Sequence, residues 1–410
     1  MALVVQKYGG TSVGDADRIR SVASRVVGAA ADGNQVVVVV SAMGSFTDEL
    51  IGLAQQVSSH PAPRELDMLL TAGERISMSL LAMAIHDLGA EVLSLTGSQA
   101  GILTDSSHGE ARITRIRGDR VREHLDQGKI VIVAGFQGVD PDSRDVTTLG
   151  RGGSDATAVA MAAALDADAC EIFTDVDGVY TADPRVVPDA RLLKEVSYED
   201  MLELAASGTG VLMMRSVEFA RRFGVALHVR SSFHEQPGTW VKESAMEEAI
   251  ITGIAHDVSE SKLTVHGVPD QPGVAARLFG NLADAGINVD MIVQNVSMEG
   301  VTDISFTVPK NDNAAALAIC ERLVPEFRAG GVDADPNIAR VSVVGAGMRS
   351  NPGIAATMFR ALGDRAINIH MISTSSIRIS CVITADRVEE AVRTLHEELV
   401  PLDEPVEEHA

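Results

Sequence analysis

Cysteine is scarce in this chain of 410 residues, which contains only Cys170, Cys320 and Cys381. The three cysteines are far apart in the sequence, form no CxxC pair and have no histidines at the spacing of metal ligands. These absences exclude a disulfide framework and a zinc site, and they lead us to expect a reducing, cytoplasmic environment.

Basic residues are also few. The chain has 34 Lys and Arg residues against 57 Asp and Glu residues, which gives a formal net charge of −23 at pH 7. Nucleic acids and anionic membranes bind clustered positive charge, so we expect neither of them as a partner.

Long hydrophobic runs are missing as well. The longest run of a single apolar residue, the valines at 36–40, has the length of a strand, and the N-terminus lacks the basic start and apolar core of a signal peptide. The sequence therefore predicts neither a membrane span nor a secretory leader.

The first 230 or so residues alternate short β-branched runs with longer helical patterns. The runs are VVVVV at 36, AEVLSL at 90, KIVIVAG at 129, EIFTDVDG at 171 and ALHVRSS at 226. This alternation predicts an α/β domain at residues 1–233, with a mostly parallel sheet sandwiched by helices and ligands at the carboxyl ends of the strands. A Pro-Gly turn and acidic residues then indicate a linker at residues 234–250.

Beyond the linker the chain repeats itself. KLTVHGVPDQPGVAARLFGNLADAGINVDMIVQNVS at 262 is echoed by RVSVVGAGMRSNPGIAATMFRALGDRAINIHMISTSS at 340. Each copy reads as a strand, a loop ending in Pro-Gly, a helix, and an Ile-Asn pair before another strand. The repeat predicts two small α+β modules, at residues 251–330 and 337–400, followed by an acidic tail at residues 401–410.

Two glycine-rich stretches, KYGGTSVGD at Lys7 and TTLGRGGSDAT at Thr147, each precede a helical pattern. Glycines let backbone N–H groups approach a phosphate, and the start of a helix favours an anion. Arg151 can clamp a carboxylate or phosphate, whereas Asp155 is either a helix-start carboxylate or the group that orients a catalytic lysine. Each stretch alone also fits an ordinary turn, but together they predict a strongly anionic ligand, such as a nucleoside triphosphate.

Three further stretches carry polar residues at the ends of elements. In FTDVDGVYTADPR the aspartates fit turn formation, or, with a tyrosine and an arginine, a nucleotide seat. In LLTAGERIS, Glu74 and Arg75 fit a solvated charge pair, and SAMGSFTDEL offers Ser41, Gly44 and Thr47 as small donors to a substrate. No GxxxxGK[ST] motif occurs, which excludes a P-loop enzyme.

These stretches together resemble aspartate kinase, of the amino-acid kinase superfamily with two C-terminal, ferredoxin-like ACT modules, and they are closest to the actinobacterial type. The resemblance spans nearly the whole chain, with its motifs in the expected order: KYGGTSV, SAMGSFTDEL, LLTAGERIS, GFQGV, TTLGRGGSDATA, TDVDGVYTADPR and the Pro-Gly repeats. It implies Mg²⁺-assisted transfer of the ATP γ-phosphoryl group to the side-chain carboxylate of L-aspartate. The product, 4-phospho-L-aspartate, begins the route to lysine, threonine and methionine.

The resemblance also implies residue roles. Lys7 would neutralise charge on the transferred phosphoryl group, Asp155 would hold that lysine, and Glu74 would complete the catalytic set. An ionised carboxylate acceptor needs no general base, and no protein cage for the metal ion is expected. The aspartate site would comprise Thr47, Glu74, Arg151 and Ser154, with Glu74 binding the ammonium and Arg151 the α-carboxylate. The ATP site would comprise Gly9, Gly10, Thr11, Ser41, Gly152, Gly153, Thr174, Asp175, Tyr180, Asp183 and Arg185.

The ACT pair implies feedback control by threonine and lysine, at sites formed between chains. We therefore expect a homo-oligomer, or an α2β2 assembly with a regulatory chain that starts at Met246. The effector residues implied in the first module are Asp270, Pro272, Gly273, Ala275, Asn288, Asp290 and Gln294. Those implied in the second module are Ala355, Asn368, Ile369, Ser375 and Ser376.

Three positions depart from the family pattern. Gly210 in GTGVL replaces a lysine that often contacts the nucleotide in a GxKVL pattern, which puts the strength of ATP binding in doubt. In the second module Ala355 replaces a hydroxyl and Ser376 replaces a carboxylate. Because the ammonium of a lysine effector needs such a carboxylate, we expect lysine control to be weakened or lost while threonine sensing can survive.

Two alternatives stay open. One is a sibling kinase acting on glutamate, carbamate, acetylglutamate or UMP, which LLTAGERIS and the paired ACT modules disfavour. The other is a chain that senses amino acids and regulates a partner without catalysis. Lys7, Arg151 and Asp155 argue against this second alternative, whereas Gly210 keeps it open.

Overall fold

The computed structural model describes residues 1–243, 250–294, 300–349, 351 and 353–400. Three predicted features lie wholly or partly outside these residues: the internal start at Met246, the central part of the linker, and the acidic tail. The chain divides into two compact units. The first comprises Met1–Tyr180, Leu192–Ala205 and Gly210–Glu247, and the second comprises Thr181–Arg191, Ala206–Thr209 and Glu248–Ala410.

The first unit alternates strands and helices. Its strands are β1 (Leu3–Tyr8), β2 (Gln35–Val40), β3 (Val92–Leu95), β4 (Ile102–Thr104), β5 (Ile113–Ile116), β6 (Ile130–Ala134), β7 (Gln137–Val139), β8 (Val146–Thr148), β9 (Ala169–Thr174), β10 (Glu195–Ser197), β11 (Leu227–Ser231) and β12 (Thr239–Lys242). Its helices are α1 (Ala16–Ala31), α2 (Phe46–Val57), α3 (Pro63–Leu70), α4 (Ala72–Asp87), α5 (Asp119–Asp126), α6 (Gly153–Leu165), α7 (Tyr198–Ala206) and α8 (Met214–Phe223).

Eight of these strands form one sheet in the order β10-β12-β11-β9-β1-β2-β6-β3. Only β11 and β12 pair antiparallel, which confirms the predicted mostly parallel sheet. The valines of β2 are fully buried because helices cover both faces of the sheet. A smaller sheet, in the order β5-β4-β7-β8, carries the strand that leads into the second glycine-rich stretch.

Two helical layers enclose the large sheet. Helices α1 and α4 share one core with β2 and β6, in which Val22, Val38 and Leu81 are buried. Helix α6, rich in alanine and buried over most of its length, packs closely on β1, β2 and β9. Its small side chains let the helix approach the sheet, and this brings the first turn of α6 next to the ends of those strands.

Helices α3 and α4 together, Pro63–Asp87, are long and apolar enough to cross a membrane by length and composition. No other helix among the described residues passes this test. Core helices of globular proteins pass it too, and α4 packs on α1, β3 and β6. Length and composition alone are therefore weak evidence for a span.

The second unit contains two four-stranded sheets, in the orders β15-β16-β14-β17 and β13-β18-β20-β19. Its strands are β13 (Gly253–Asp257), β14 (Glu260–Pro269), β15 (Ile292–Gln294), β16 (Val301–Pro309), β17 (Gly331–Asp335), β18 (Ile338–Val344), β19 (Met371–Thr374) and β20 (Arg378–Thr384). Its helices are α9 (Val274–Asp284), α10 (Asn313–Phe327), α11 (Ile354–Asp364) and α12 (Val388–Leu399).

The two copies of the sequence repeat form similar elements in the structure. Helices α9 and α11 each have 11 residues and each follow a glycine in the left-handed region, Gly273 at φ 95° and Gly353 at φ 111°. A residue with a Cβ would be strained there. The sheets do not follow the linear order, however, because β13 lies within the range predicted for the first module but pairs with β18 of the second. The module boundaries predicted from the sequence, residues 251–330 and 337–400, therefore remain a prediction.

Candidate active site

Lys7 and Asp155 meet at the edge of the large sheet. Lys7 lies near the carboxyl end of β1, between β2 and β9, and its Nζ is 2.6 Å from Oδ1 of Asp155 in the first turn of α6. Their side chains are only 12% and 10% exposed. The carboxylate therefore holds the ammonium in place in a poorly solvated position, beside the start of a helix where an anion is stabilised.

The glycines after β1 bring two loops into backbone contact. Gly44 N donates to Gly10 O at 2.9 Å, so the loop after β1 lies directly against the loop after β2. A Cβ on Gly10 would be 2.8 Å from Ala42 O and 2.9 Å from Gly44 O. Any side chain at position 10 would therefore separate the loops that the sequence analysis assigned to phosphate and substrate.

The other predicted phosphate-side residues lie at neighbouring strand ends. Ser41 N donates to Tyr8 O at 3.1 Å, and Thr174 O accepts from Ser232 N at 2.8 Å. The hydroxyls of Ser12 and Ser232 are 2.6 Å apart, which ties the first glycine loop to the end of β11. Neither serine was predicted as a site residue, although the pair SS that ends the run at 226 was an available signal for Ser232.

Glu74 presents a buried carboxylate with one open oxygen. It lies in the first turn of α4, is 3% exposed, and accepts a hydrogen bond on Oε1 from Ala42 N at 3.2 Å. Within the described ranges its Oε2 has no hydrogen-bond partner, and burial raises the pKa of Glu74 to about 7. A cation beside Oε2 would relieve this desolvation, which suits a substrate ammonium.

Arg151 lies on a loop whose conformation depends on the glycine on each side of it. Gly150 and Gly152 both lie in the left-handed region, at φ 74° and 72°, and Ser154, buried at the start of α6, faces Gly135 after β6. The Arg151 guanidinium is exposed and forms no hydrogen bond or ion pair in the part of the chain that the structure describes. It is thus available to a ligand. Gly9, Thr11, Thr47 and Gly153 lie on the same loops and helix starts.

The predicted nucleotide-binding stretch, residues 173–185, is divided between the two units of the chain. Asp175 accepts a hydrogen bond from the Thr174 hydroxyl, and the Tyr180 hydroxyl donates to Asp177, both in the first unit. Asp183 and Arg185 belong instead to the second unit. They bind each other, with Nη2 and Oδ2 2.7 Å apart, and these hydrogen bonds hold the pKa of Asp183 below its usual value.

Gly210, the first departure from the family pattern, is exposed and adopts φ 65°. The lysine usual in the family could adopt this left-handed conformation only with strain of about 1 kcal/mol. Glycine offers no side chain at this position with which a ligand could interact.

The predicted effector residues of the two modules lie near the same elements of the repeat. In the first module Asp270, Pro272, Gly273, Asn288 and Gln294 are exposed, and Ala275 is half-buried. In the second module Asn368, Ser375 and Ser376 are exposed, and Ala355 and Ile369 are half-buried. Both predicted sets thus lie near the start of a helix, α9 or α11, and in or next to the following strand, β15 or β19.

Asp290 differs from the other effector residues because it meets a buried arginine. Arg340, on β18 and 1% exposed, contacts the carboxylates of Asp290, Glu260 at 3.1 Å and Asp257 at 3.5 Å, and donates to Ala206 O at 2.7 Å. A buried guanidinium depends on such partners, but the Asp290 side chain is 39% exposed, so it contributes less than the ~3–5 kcal/mol of a fully buried pair. The Asp290 carboxylate therefore has a structural role within the second unit.

A magnesium ion would depend on the nucleotide for ligands. No group of three or more His, Cys, Asp or Glu side chains that could hold a metal occurs among residues with described positions. The Asp155 carboxylate, which is on the phosphate side, is engaged by Lys7. This donor set fits an ion held mainly by phosphate oxygens and water, as Mg²⁺ commonly is.

Known proteins share this organisation. Residues 2–231 match the amino acid kinase family, and residues 263–323 and 341–399 match the ACT domain. The chain is 58% identical to the aspartokinase of Mycolicibacterium smegmatis over 97% of its own length and 96% of that relative. The chain belongs to the aspartokinase family. This membership confirms the resemblance, the fold class and the enzyme class that the sequence predicted.

Two further aspartokinases support the assignment. That of Corynebacterium glutamicum is 57% identical over 97% of this chain and 96% of the relative. The structure of Escherichia coli aspartokinase III in complex with aspartate and ADP aligns with a TM-score of 0.82 and 26% identity, over 97% of this chain and 100% of that one. This aspartokinase therefore consists of a nucleotide-using kinase unit followed by ACT domains.

Proposed function

We propose that this aspartokinase transfers the γ-phosphoryl group of ATP to the side-chain carboxylate of L-aspartate, giving 4-phospho-L-aspartate. The observation that carries the proposal is the buried pair of Lys7 and Asp155 at the strand ends of the sheet. The first unit also offers the Glu74 Oε2 atom and the Arg151 guanidinium, neither of which has a partner among the described residues. This set matches one transferring phosphate and the two charged groups of an amino acid.

Each residue would act through its charge and position. Lys7 neutralises the charge that builds on the transferred phosphoryl group, and Asp155 keeps its ammonium aimed. Glu74 binds the substrate ammonium and Arg151 binds the α-carboxylate, which leaves the side-chain carboxylate to attack. That carboxylate is ionised at neutral pH, so the reaction needs no general base. Bound Mg²⁺ would supply further neutralisation of the phosphate charge.

Hydroxylamine trapping tests the proposed reaction directly. The folded protein, ATP and Mg²⁺ are incubated with L-aspartate and hydroxylamine, which converts an acyl phosphate to a coloured hydroxamate. We expect hydroxamate with L-aspartate and background with L-glutamate or acetylglutamate in its place. Carbamate and UMP form no such hydroxamate when phosphorylated, so ADP release is measured with these two acceptors and should also stay at background. Turnover with one of those acceptors would favour a sibling kinase. Threonine binding without any turnover would favour a non-catalytic sensor.

The pH dependence of aspartate binding tests the role of Glu74. With a pKa of about 7, Glu74 is mostly protonated at pH 6 and mostly ionised at pH 8. Only the ionised form attracts the substrate ammonium, so the KM for aspartate should rise about tenfold as the pH falls from 8 to 6. Initial rates at varied aspartate concentration and saturating ATP measure this change.

Glu74→Gln is the matched variant for this experiment. Glutamine keeps an oxygen for the Ala42 N–H but cannot titrate, so the KM should be high at every pH and nearly independent of it. The KM for ATP, measured over the same range, reports titration of the nucleotide itself. A wild-type KM for aspartate that is flat between pH 6 and 8 would contradict the assignment.

We further propose that threonine inhibits the enzyme and that lysine control is weakened. Ala355 lacks the hydroxyl, and Ser376 lacks the carboxylate, that the family pattern has at these two positions. The carboxylate is the group that the ammonium of a lysine effector needs. Saturating threonine alone should lower the rate about fivefold or more, and lysine should change it less than about twofold. Hydroxamate assays with each effector and with both together measure these factors.

A gain-of-function variant makes this prediction sharper. Ala355→Thr combined with Ser376→Glu restores both missing groups and should increase inhibition by lysine while leaving inhibition by threonine unchanged. Strong inhibition of the wild type that requires lysine would contradict the prediction.

We also propose that the protein acts in the cytoplasm as an oligomer. The family pattern places effector sites between ACT modules of different chains, which supports a homo-oligomer or an α2β2 assembly. A regulatory chain starting at Met246 would contain both modules. Mass spectrometry of the protein purified from its native host distinguishes the two assemblies, because only the second contains the short chain.

A further inference from the structure

A buried carboxylate outside the predicted site lies under the second glycine-rich stretch. Asp67, on α3, is 1% exposed. Its Oδ1 accepts a hydrogen bond from the Thr148 hydroxyl at 2.6 Å, and both of its oxygens accept from Gly109 N, at 3.1 and 3.2 Å. His108 Nδ1 lies 2.7 Å from Oδ2. One carboxylate therefore joins α3 to the end of β8 and to the turn at residues 108–111.

The turn and the end of β8 are joined to each other as well. Ala111 N donates to Thr148 O at 2.8 Å. A Cβ on Gly150 would lie 3.2 Å from Gly109 O, so the glycine-rich loop rests directly on the turn. From the other side, Arg215 donates to Leu149 O at 2.7 Å and to Ala111 O at 2.9 Å. The backbone on the N-terminal side of Arg151 is thus fixed by one buried carboxylate, Asp67, and one half-buried guanidinium, Arg215.

The position of the Arg151 side chain depends on these hydrogen bonds to the preceding backbone. Its guanidinium has no partner among the described residues, and the glycines on either side of it restrict the backbone little. The position of the guanidinium is therefore set by the strand and turn from which the loop projects. Asp67 holds both of these segments without being exposed to a substrate.

We propose that Asp67 is a positioning residue that sets the affinity for the α-carboxylate of the substrate through Arg151. The proposal depends on the proposed function, in which Arg151 binds that carboxylate. A shift of the loop by a fraction of an ångström weakens a planar, two-pronged contact but leaves the Lys7–Asp155 pair in place. The effect should therefore appear in the KM for aspartate.

Asp67→Asn and Thr148→Val test the proposal. Asparagine offers one acceptor where aspartate offers two, and valine removes one hydrogen bond at nearly constant shape. We expect the KM for aspartate to rise about tenfold in Asp67→Asn and less in Thr148→Val, with kcat and the KM for ATP within about twofold of wild type. In the double variant the effects should not multiply, because both changes break the same contact.

Asp140→Asn is the matched control. Asp140 is also a buried carboxylate, 7% exposed, and it accepts hydrogen bonds from Asp142 N and from Ser143 in the turn between β7 and β8. Among the described residues its carboxylate makes no hydrogen bond to the segments that Asp67 holds, and only a weak charge interaction links it to His108. This variant should lose thermal stability, as Asp67→Asn does, without the selective rise in KM.

Every outcome of these experiments either supports or overturns the positioning role of Asp67. Equal kinetics in the Asp67→Asn and Asp140→Asn variants, or a loss confined to kcat, would overturn the positioning role. If Asp67→Asn does not fold, Thr148→Val decides alone, and an unchanged KM for aspartate in that variant overturns the proposal. A wild-type protein that forms no hydroxamate from aspartate would instead refute the proposed function, before any variant is compared.

Discussion

Replacing Lys7 by alanine is expected to lower kcat about 10²- to 10³-fold. The ammonium is held by Asp155 at the end of β1 and would contact the phosphoryl group as its charge develops. A charge of this kind acts mainly in the transition state, so kcat and kcat/KM should fall together while the KM for aspartate changes little. Steady-state hydroxamate assays, with both substrates varied, measure the three parameters.

The control for this variant addresses stability. Lys7→Ala leaves the buried Asp155 carboxylate without its partner, which costs about 3 kcal/mol or more. Lys7→Arg keeps a positive charge beside Asp155 and should fold normally, yet its guanidinium is bulkier and places the charge differently, so kcat should remain well below wild type. Thermal melting of both variants separates unfolding from lost chemistry. Near-normal turnover in Lys7→Ala would show that the phosphate lies elsewhere.

Arg151→Ala is expected to raise the KM for aspartate about 100-fold and to leave the KM for ATP nearly unchanged. The side chain is exposed and has no partner among the described residues, so its removal should cost little stability. The loss corresponds to one charge-assisted contact to a carboxylate, about 3 kcal/mol. Initial-rate measurements with each substrate varied in turn separate the two constants.

Two companion variants define what Arg151 contributes. Arg151→Lys keeps the charge but not the planar fork, and its KM for aspartate should lie between those of wild type and Arg151→Ala. Arg115→Ala removes an exposed arginine from β5 in the same small sheet and should have no effect. A defect of Arg151→Ala confined to ATP would reassign the residue to the nucleotide.

Local patterns in the sequence were sufficient to predict the fold and the loops that form the candidate site. A β-branched run, a glycine pair and a helical pattern predict a strand, a close backbone approach and a helix start, and these lie together because parallel strands end at one edge. Lys7 and Asp155 are far apart in the sequence, but one lies just before such a glycine-rich loop and the other just after one. Their contact is therefore consistent with the predicted topology.

Other features could not be predicted because they depend on contacts between distant segments. The pairing of β13 with β18 joins strands that are about 85 residues apart, and no local pattern specifies it. Asp67 sits in an ordinary helical sequence, and only the fold brings Thr148 and Gly109 to its carboxylate. Likewise, nothing near Asp290 indicates that it meets Arg340.

The three cysteines that exclude a disulfide framework are also distributed one to each core. Cys170 lies on β9 of the large sheet, Cys320 on α10 of the first module and Cys381 on β20 of the second, and all are buried. Burial raises the pKa of all three thiols, to about 11 for Cys320 and about 12 for Cys381. A thiol reagent can therefore label each residue only when its own core opens. The unmodified protein thus carries three natural probes, and site-resolved labelling rates give the opening free energy of each core separately.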